Sequence, residues 1–358
     1  MSAAERALAR IDLGAITRNC RHLRTLLTEP TQLCAVVKAD GYGHGAAESA
    51  RAALDGGAGW LAVATAVEAQ ELRAQGIDGR ILVMGALTRE DLRTALRADA
   101  DVVAWTEELM DAAHEGRVHV KLDSGMGRLG TKDRRLAERL MKRPQLAGVM
   151  THFATADEPG DDLFPLQLER FGELVEELGE RPEVIVHAAN SAAVFREPAS
   201  HFGMVRCGVA IYGMDPFHED PSERGLAPAL SLESWVAQVK RFERGDSAGY
   251  GRTWRAERAT WVATLPIGYG DGWRRGLSNN CDVLIRGRRH PLVGTISMDN
   301  VTADLGPDSD VTVGDTAVLI GAQGGERILA EEVAGRLGTI NYEITCGISQ
   351  RVRREHVG

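Results

Sequence analysis

No apolar run in this chain reaches the length needed to cross a membrane, which excludes an integral helical membrane protein. The opening stretch, MSAAERALARIDL, lacks the apolar core of a secretory leader, so a soluble, cytoplasmic protein is expected. Basic residues are scattered rather than run together, and the formal net charge is −9. That balance argues against a nucleic-acid partner and for small molecules. None of the five cysteines, Cys20, Cys34, Cys207, Cys281 and Cys346, forms a C-x-x-C pair. An odd, widely spaced set points to reduced thiols, with no disulfide framework and no metal site. Coarse repeats and low-complexity linkers are also missing.

What is there is a chain of 358 residues with 44% apolar and 26% charged side chains, enough for a sizeable core and, by length, for two domains. Eight short β-rich runs recur in the first two thirds: LCAVV, WLAVA, ILVMG, DVVAW, VHVKL, LAGVMTH, EVIVHA and MVRCGVAIY. Segments of helical period such as VEAQELRAQG and DRRLAERLMKR lie between them, so the sheet should be parallel. Eight such units fit a (β/α)8 barrel of the TIM type better than an open doubly wound sheet, which has no reason to stop at eight. After about Leu226 the pattern changes to period-two runs such as LSLESWVAQVKRF and CDVLIRGRRHPLVGTIS, with helical period returning only at LAEEVAGRL. The expected architecture is α/β: a barrel over residues 1–228, then a mainly antiparallel β domain over 229–358.

Barrel chemistry collects at the carboxyl ends of the strands, and the polar residues of this sequence fall there. Lys38 closes the first run, Arg128 follows the fifth, His152 ends the sixth, Asn190 and Ser191 follow the seventh, and Arg206 lies within the eighth. A lone lysine is ordinarily a solvated surface residue, but at a barrel mouth it can lose its proton and act as an amine nucleophile. Around it, ADGYGHG supplies Gly41, Gly43 and Gly45 for a tight bend and Tyr42 as a hydroxyl donor, with His44 read as structural. Ser191 and the amides of Gly208 and Val209 offer an anion cup at the far rim. An amine at one side and a phosphate cup at the other describe pyridoxal phosphate. GMGRLG, Gly125–Gly130, matches a dinucleotide fingerprint, but the next strand ends on His152 where the ribose-binding acid should stand.

AVVKADGYGHG, VHVKLDSGMGRLG, THFATAD, NSAA, VRCGVAIYG, AGYGRTW, LPIGYGDG, GTISMDN and INYEITC occur in an order that resembles the alanine racemase family. The resemblance implies a pyridoxal phosphate enzyme that interconverts L- and D-alanine and supplies D-alanine for peptidoglycan. It also implies a homodimer with shared active sites, no nucleic acid and no membrane. Lys38 would hold the cofactor and act as one base, and Tyr250 would reach across the dimer as the other. Tyr42, Ser191, Gly208, Val209 and Tyr342 would hold the phosphate. Arg206 would face the pyridine nitrogen, with His152 linking it to the tyrosine. Arg128 would lie near the phenolic oxygen, and Lys121 matches a lysine that some members carry as a carbamate. Met298, Asp299 and Tyr269 would line the substrate pocket and its entrance. The chain departs from the family at SQRVRR, where Gln350 replaces a tyrosine, and at AGYG around Tyr250.

Racemisation needs these groups because Cα must lose a proton on one face and regain it on the other, which calls for two bases flanking a plane. A tyrosine base needs nearby positive charge or hydrogen bonds, which Arg206 and His152 are placed to give. An arginine at the pyridine nitrogen disfavours a second positive charge there, so the electron sink is weakened and transamination is disfavoured. The alternatives are a racemase of another or broader set of amino acids and a carrier that binds pyridoxal phosphate without turnover.

Overall fold

In the computed structural model, which describes residues 5–179 and 181–358, β1 (Leu8–Asp12) is followed by eight parallel strands that close on themselves. These are β2 (Gln32–Val36), β3 (Trp60–Val63), β4 (Arg80–Val83), β5 (Ala100–Ala104), β6 (Val118–Lys121), β7 (Leu146–Met150), β8 (Ile185–His187) and β9 (Met204–Cys207). Each coincides with one of the eight apolar runs. Pairing of β9 with β2, Cys34 opposite Arg206, completes the barrel. Strands such as β3 and β5 are buried along their whole length, as parallel strands covered on both faces must be.

The intervening helices start where the sequence supplies an oxygen for orphan amides. Thr65, Thr88, Thr106, Asp133 and Asn190 each accept a hydrogen bond in the first turn of the helix that follows. Leu163–Leu178 is the longest of these helices and turns Phe171, fully buried, edge-on to Phe202 at 5.3 Å. Two thiols of the barrel unit lie inside as well: burial pushes Cys20 and Cys34 up to about 12, which leaves them unreactive.

The chain divides into two compact units, one of residues 16–217 with 225–227 and one of the residues through Ala15 with 218–224 and 228–358. The second is built on sheets. Its larger sheet runs Arg288–Pro291, Asp282–Ile285, Thr316–Gln323, Leu230–Trp235, β1, Arg353–Val357. A smaller one joins Gln238–Phe242, Thr260–Leu265 and Val301–Gly306. Antiparallel pairing dominates, as expected, although β1 pairs in parallel with the last strand, Leu8 opposite Arg353. The division differs from one at residue 228. β1 belongs with the sheets because Leu8, Ala9 and Ile11 are buried in this unit and both its edges are paired, with Leu230–Trp235 and with Arg353–Val357. Helix returns at Ala330–Leu337, where LAEEVAGRL placed it, and again at Asn341–Cys346. Among the described residues no helix is long and apolar enough to cross a membrane.

Truncating Phe171 to alanine empties a fully buried site in the barrel unit and is expected to cost about 3–5 kcal/mol. Urea denaturation checks this, with the midpoint falling at unchanged slope.

Candidate active site

The chain leaves β2 through Val37 and places Lys38 at the carboxyl end of the strand, at the barrel mouth. It then makes a left-handed turn: φ is 53° at Ala39, 52° at Asp40, 62° at Gly41 and 54° at Tyr42. For residues with a Cβ this region costs roughly 1–2 kcal/mol each, so other contacts must hold it. The Ala39 amide donates to Glu68 Oε1 at 2.7 Å, and the Ala46 amide to Asp40 Oδ1 at 3.0 Å. The second oxygen of Glu68 accepts from Ala64 and Thr65 at 2.8 and 2.9 Å. One carboxylate thereby ties the lysine turn to the turn after β3. Sequence reasoning missed Glu68. Its signal was there, since TAVE is a T-x-x-E capping box, but the capping box announces only a helix start and not the second, tertiary bond.

Tyr42 is buried, its ring 5.1 Å from that of Tyr212, and its hydroxyl oxygen occupies the space a Cβ at Gly208 would need, 2.3 Å from it. Position 208 must therefore be glycine if the phenol is to reach the rim. The Gly208 amide donates to Ser191 Oγ at 3.1 Å, and Val209 is fully buried beside it. Tyr42, Ser191, Gly208 and Val209 thus meet at one place. His44 Nδ1 lies 3.0 Å from the carbonyls of Gly41 and Tyr42, and its ring stacks on Tyr212 at 4.5 Å, a bracing position inside the loop.

Arg206 is buried, and its partners are neutral. Its guanidinium donates to His187 Nδ1 at 2.9 Å, the Thr151 carbonyl at 2.8 Å, the Ala188 carbonyl at 3.0 Å and His152 Nδ1 at 3.2 Å. No carboxylate pairs with it among the described residues. Burial brings its pKa down to about 10, so it remains charged at neutral pH. Lys121 is driven down to about 8 by burial and then by Arg206, Arg128 and Lys38. His152 falls well below the usual imidazole range, by burial and then by Arg206, Lys121, Arg128 and Lys38. Four cationic side chains on four different strands and loops therefore converge on one histidine, a field that calls for an anion. The GMGRLG loop folds around its own aspartate, since Gly125 and Gly127 donate to Asp123 Oδ1 at 3.1 and 2.9 Å.

The β unit holds the other expected residues, and most share one surface segment. The Thr295 hydroxyl donates to the Tyr250 carbonyl at 2.8 Å, Tyr269 N–H to the Ser297 carbonyl at 3.1 Å, and Gly270 N–H to the Met298 carbonyl at 2.9 Å. Tyr250, Tyr269 and Met298 are 73%, 42% and 52% exposed, an unusual concentration of large apolar side chains in water. An open recess of about 360 Å³ beside them is lined by Gly249, Tyr250, Thr295, Ser297, Asn300 and Thr302. Asp299 is held by Arg351 at 2.8 Å and Arg6 at 3.3 Å. Gln350 therefore precedes an arginine that still anchors the tail, through Asp299 and Asp271. Tyr342 lies on Asn341–Cys346, its ring 6.3 Å from that of His218.

Comparison with known proteins covers the chain almost end to end. The family description "Alanine racemase, N-terminal domain" matches residues 11–216, and "Alanine racemase, C-terminal domain" matches 229–356. An alanine racemase of Symbiobacterium thermophilum is 45% identical over 98% of this chain and 97% of its own length. Alanine racemase 1 of Bacillus subtilis is 42% identical over 97% and 92%. The crystal structure of alanine racemase from E. faecalis superposes with a TM-score of 0.93 at 38% identity, covering all of both chains. That of the Bacillus anthracis alanine racemase with bound L-Ala-P superposes with 0.90 at 38% identity, covering 100% and 96%.

Lys121 gives the site a pH signature. Its pKa falls from 10.5 unfolded to about 8 folded, so between those values the unfolded chain binds the extra proton and stability rises with pH. The contribution is complete above the unfolded value and is lost as pH falls through about 8. Replacing Lys121 by Met should flatten this rise, as read from urea midpoints of both proteins between about pH 7 and 10.5. Parallel curves would refute the assignment.

Proposed function

This chain belongs to the alanine racemase family, whose members are pyridoxal phosphate-dependent isomerases, and from that premise we infer that it interconverts L- and D-alanine by proton transfer at Cα with two bases. The carrying observation is the agreement of both family domains over the full chain with a cationic barrel mouth that begins at Lys38. The residues present fit the cofactor: an amine for its aldehyde, a hydroxyl and amide cup for its phosphate, and a cationic cluster short of anions.

In this reading Lys38 binds the cofactor covalently, and Tyr42, Ser191, Gly208, Val209 and Tyr342 hold its phosphate. When bound, the cofactor supplies an electron sink for the charge left at Cα. Arg206, already charged, would meet the cofactor's pyridine nitrogen and disfavour a second positive charge there. Lys38 Nζ serves one face of Cα and Tyr250 Oη the other. His152 Nδ1 accepts from Arg206, which can only donate, so in the neutral ring Nε2 carries the hydrogen and is free to stabilise a phenolate. Arg128 would offer its charge to the cofactor's phenolic oxygen. A Lys121 amine with its pKa down at about 8 has a neutral fraction able to add CO2 with loss of a proton, and the resulting carbamate would pair with Arg128.

Tyr250, Met298, Asp299 and Tyr269 serve the neighbouring protomer in a homodimer. Their support is the exposure of three of them on one segment of the β unit. The product would feed peptidoglycan synthesis. A cytoplasmic location accords with the free thiols of Cys20, Cys34, Cys207 and Cys281.

Purified protein with pyridoxal phosphate and L-alanine, followed by chiral separation, tests the reaction. A panel of other amino acids tests a broader racemase, and cofactor retained without turnover would favour a carrier. Lys38→Ala should abolish covalent cofactor attachment, as mapped by borohydride trapping and mass spectrometry. Tyr250→Phe should slow Cα deuterium exchange from one enantiomer by about 100-fold or more while leaving the other much less affected. Equal losses for both would reject two bases.

A further inference from the structure

Beneath Arg206 the barrel interior carries a polar chain for which the proposed reaction has no stated use. His187 on β8, His119 on β6 and Asp101 on β5 are all fully buried. Arg206 Nη1 lies 2.9 Å from His187 Nδ1, His187 Nε2 lies 2.7 Å from His119 Nδ1, and His119 Nε2 lies 3.1 Å from Asp101 Oδ2. The chain ends in a carboxylate clamped by two arginines, Arg80 Nη2 at 2.6 Å on Oδ2 and Arg117 Nε at 2.6 Å on Oδ1. A run of side chains thus crosses the barrel from the amino-terminal ends of β5 and β6 to the guanidinium at the mouth.

Elementary donor and acceptor rules leave this run one arrangement. A guanidinium only donates, so His187 must offer Nδ1 as a lone pair and carry its hydrogen on Nε2. That hydrogen goes to His119 Nδ1, which places the His119 hydrogen on Nε2, and this in turn meets a carboxylate that only accepts. Both ends demand the same direction. Burial pushes both imidazoles below their usual range, His187 further by Arg206, His119 and Lys121, while Asp101 opposes the shift of His119. Neutral rings suit the arrangement.

The backbone is shaped for it. A Cβ added at Gly148 on β7 would lie 2.3 Å from His119 Nδ1. The pairing of β6 with β7 slips between Val118 and His119. Trp60 closes the remaining side, edge-on to His119 at 5.7 Å. A glycine and a register slip spent on seating one ring indicate that the ring's place matters.

We propose that Asp101 is a positioning residue for Arg206, acting through His119 and His187 to fix the tautomers that present a lone pair to the guanidinium. Its effect on the reaction rests on the functional reading above; the tautomer claim does not. Were His187 to carry its hydrogen on Nδ1, two donors would face each other and Arg206 would leave its seat. The cofactor's electron sink would then strengthen. Transamination, in which alanine Cα is oxidised to the keto acid and the cofactor carbon is reduced to the amine, would gain on racemisation.

Nitrogen-15 NMR of the histidine rings in the holoenzyme should show both His119 and His187 protonated on Nε2. Asp101→Asn should disturb that pattern and raise the ratio of keto acid formed to alanine racemised by about tenfold or more, the range seen when a group supporting a key ligand is removed. Gly148→Ala, which displaces the ring but leaves every polar group, should do the same if Asp101→Asn folds poorly. Arg80→Gln, at the solvent side of the clamp, should keep both tautomers. Unchanged ring tautomers in both Asp101→Asn and Gly148→Ala, or altered tautomers with an unchanged product ratio, would overturn the proposal. A wild-type protein that never racemises alanine would remove the functional reading instead, and the NMR result would still decide the tautomers.

Discussion

A charged guanidinium buried without a carboxylate is the constraint on which this site depends. Desolvating such an ion is expensive, and at Arg206 the compensation comes entirely from carbonyls and imidazole nitrogens. Because the charge is not neutralised, it acts on everything near it. Burial first and Arg206 second make Lys121 lose its proton more easily and His152 and His187 resist gaining one. A carboxylate opposite Arg206 would have offset the share that Arg206 contributes. A barrel strand can deliver such a group because both its faces are covered, so the side chain has nowhere to go but the interior.

The left-handed turn at Lys38 follows the same logic of a cost borne where chemistry needs it. Five successive residues at positive φ, Ala39 to Gly43, turn the chain sharply enough to bring the Tyr42 hydroxyl against Gly208 at the rim. The strain persists because Glu68, from outside the turn, and Asp40, within it, both bond the backbone of the loop.

Much of this was legible beforehand. All eight barrel strands were visible, because short apolar runs at regular spacing admit few other readings, and the polar residues at their ends followed from the barrel rule. Lys38, Arg128, His152, Ser191 and Arg206 stood out because each interrupts an apolar context. Asp101, His119 and His187 did not, since each sits inside a run that reads as a buried strand and their meeting depends on barrel closure, which brings residue 187 beside residue 119. Glu68 was hidden for the opposite reason, a familiar local motif concealing a distant bond. The placement of β1 with the sheets was equally hidden, because local alternation fixes that a strand buries one face, not which sheet receives it.

The two halves of the expected base pair also differ in kind, and the difference is physical. A lysine nucleophile gains from neighbouring cations, which favour the neutral form of an amine, and the barrel mouth sets Lys38 among Lys121, Arg128 and Arg206. A tyrosine base needs a donor that steadies its phenolate, and the spare Nε2–H of His152 is such a donor because Arg206 has already claimed Nδ1. That donor belongs to the barrel unit, while Tyr250 stands 73% exposed on the β unit. The two expected bases thus stand in different surroundings, a half-buried lysine at the barrel mouth and an exposed phenol on the β unit, and the proposed second copy would cover that exposed apolar segment.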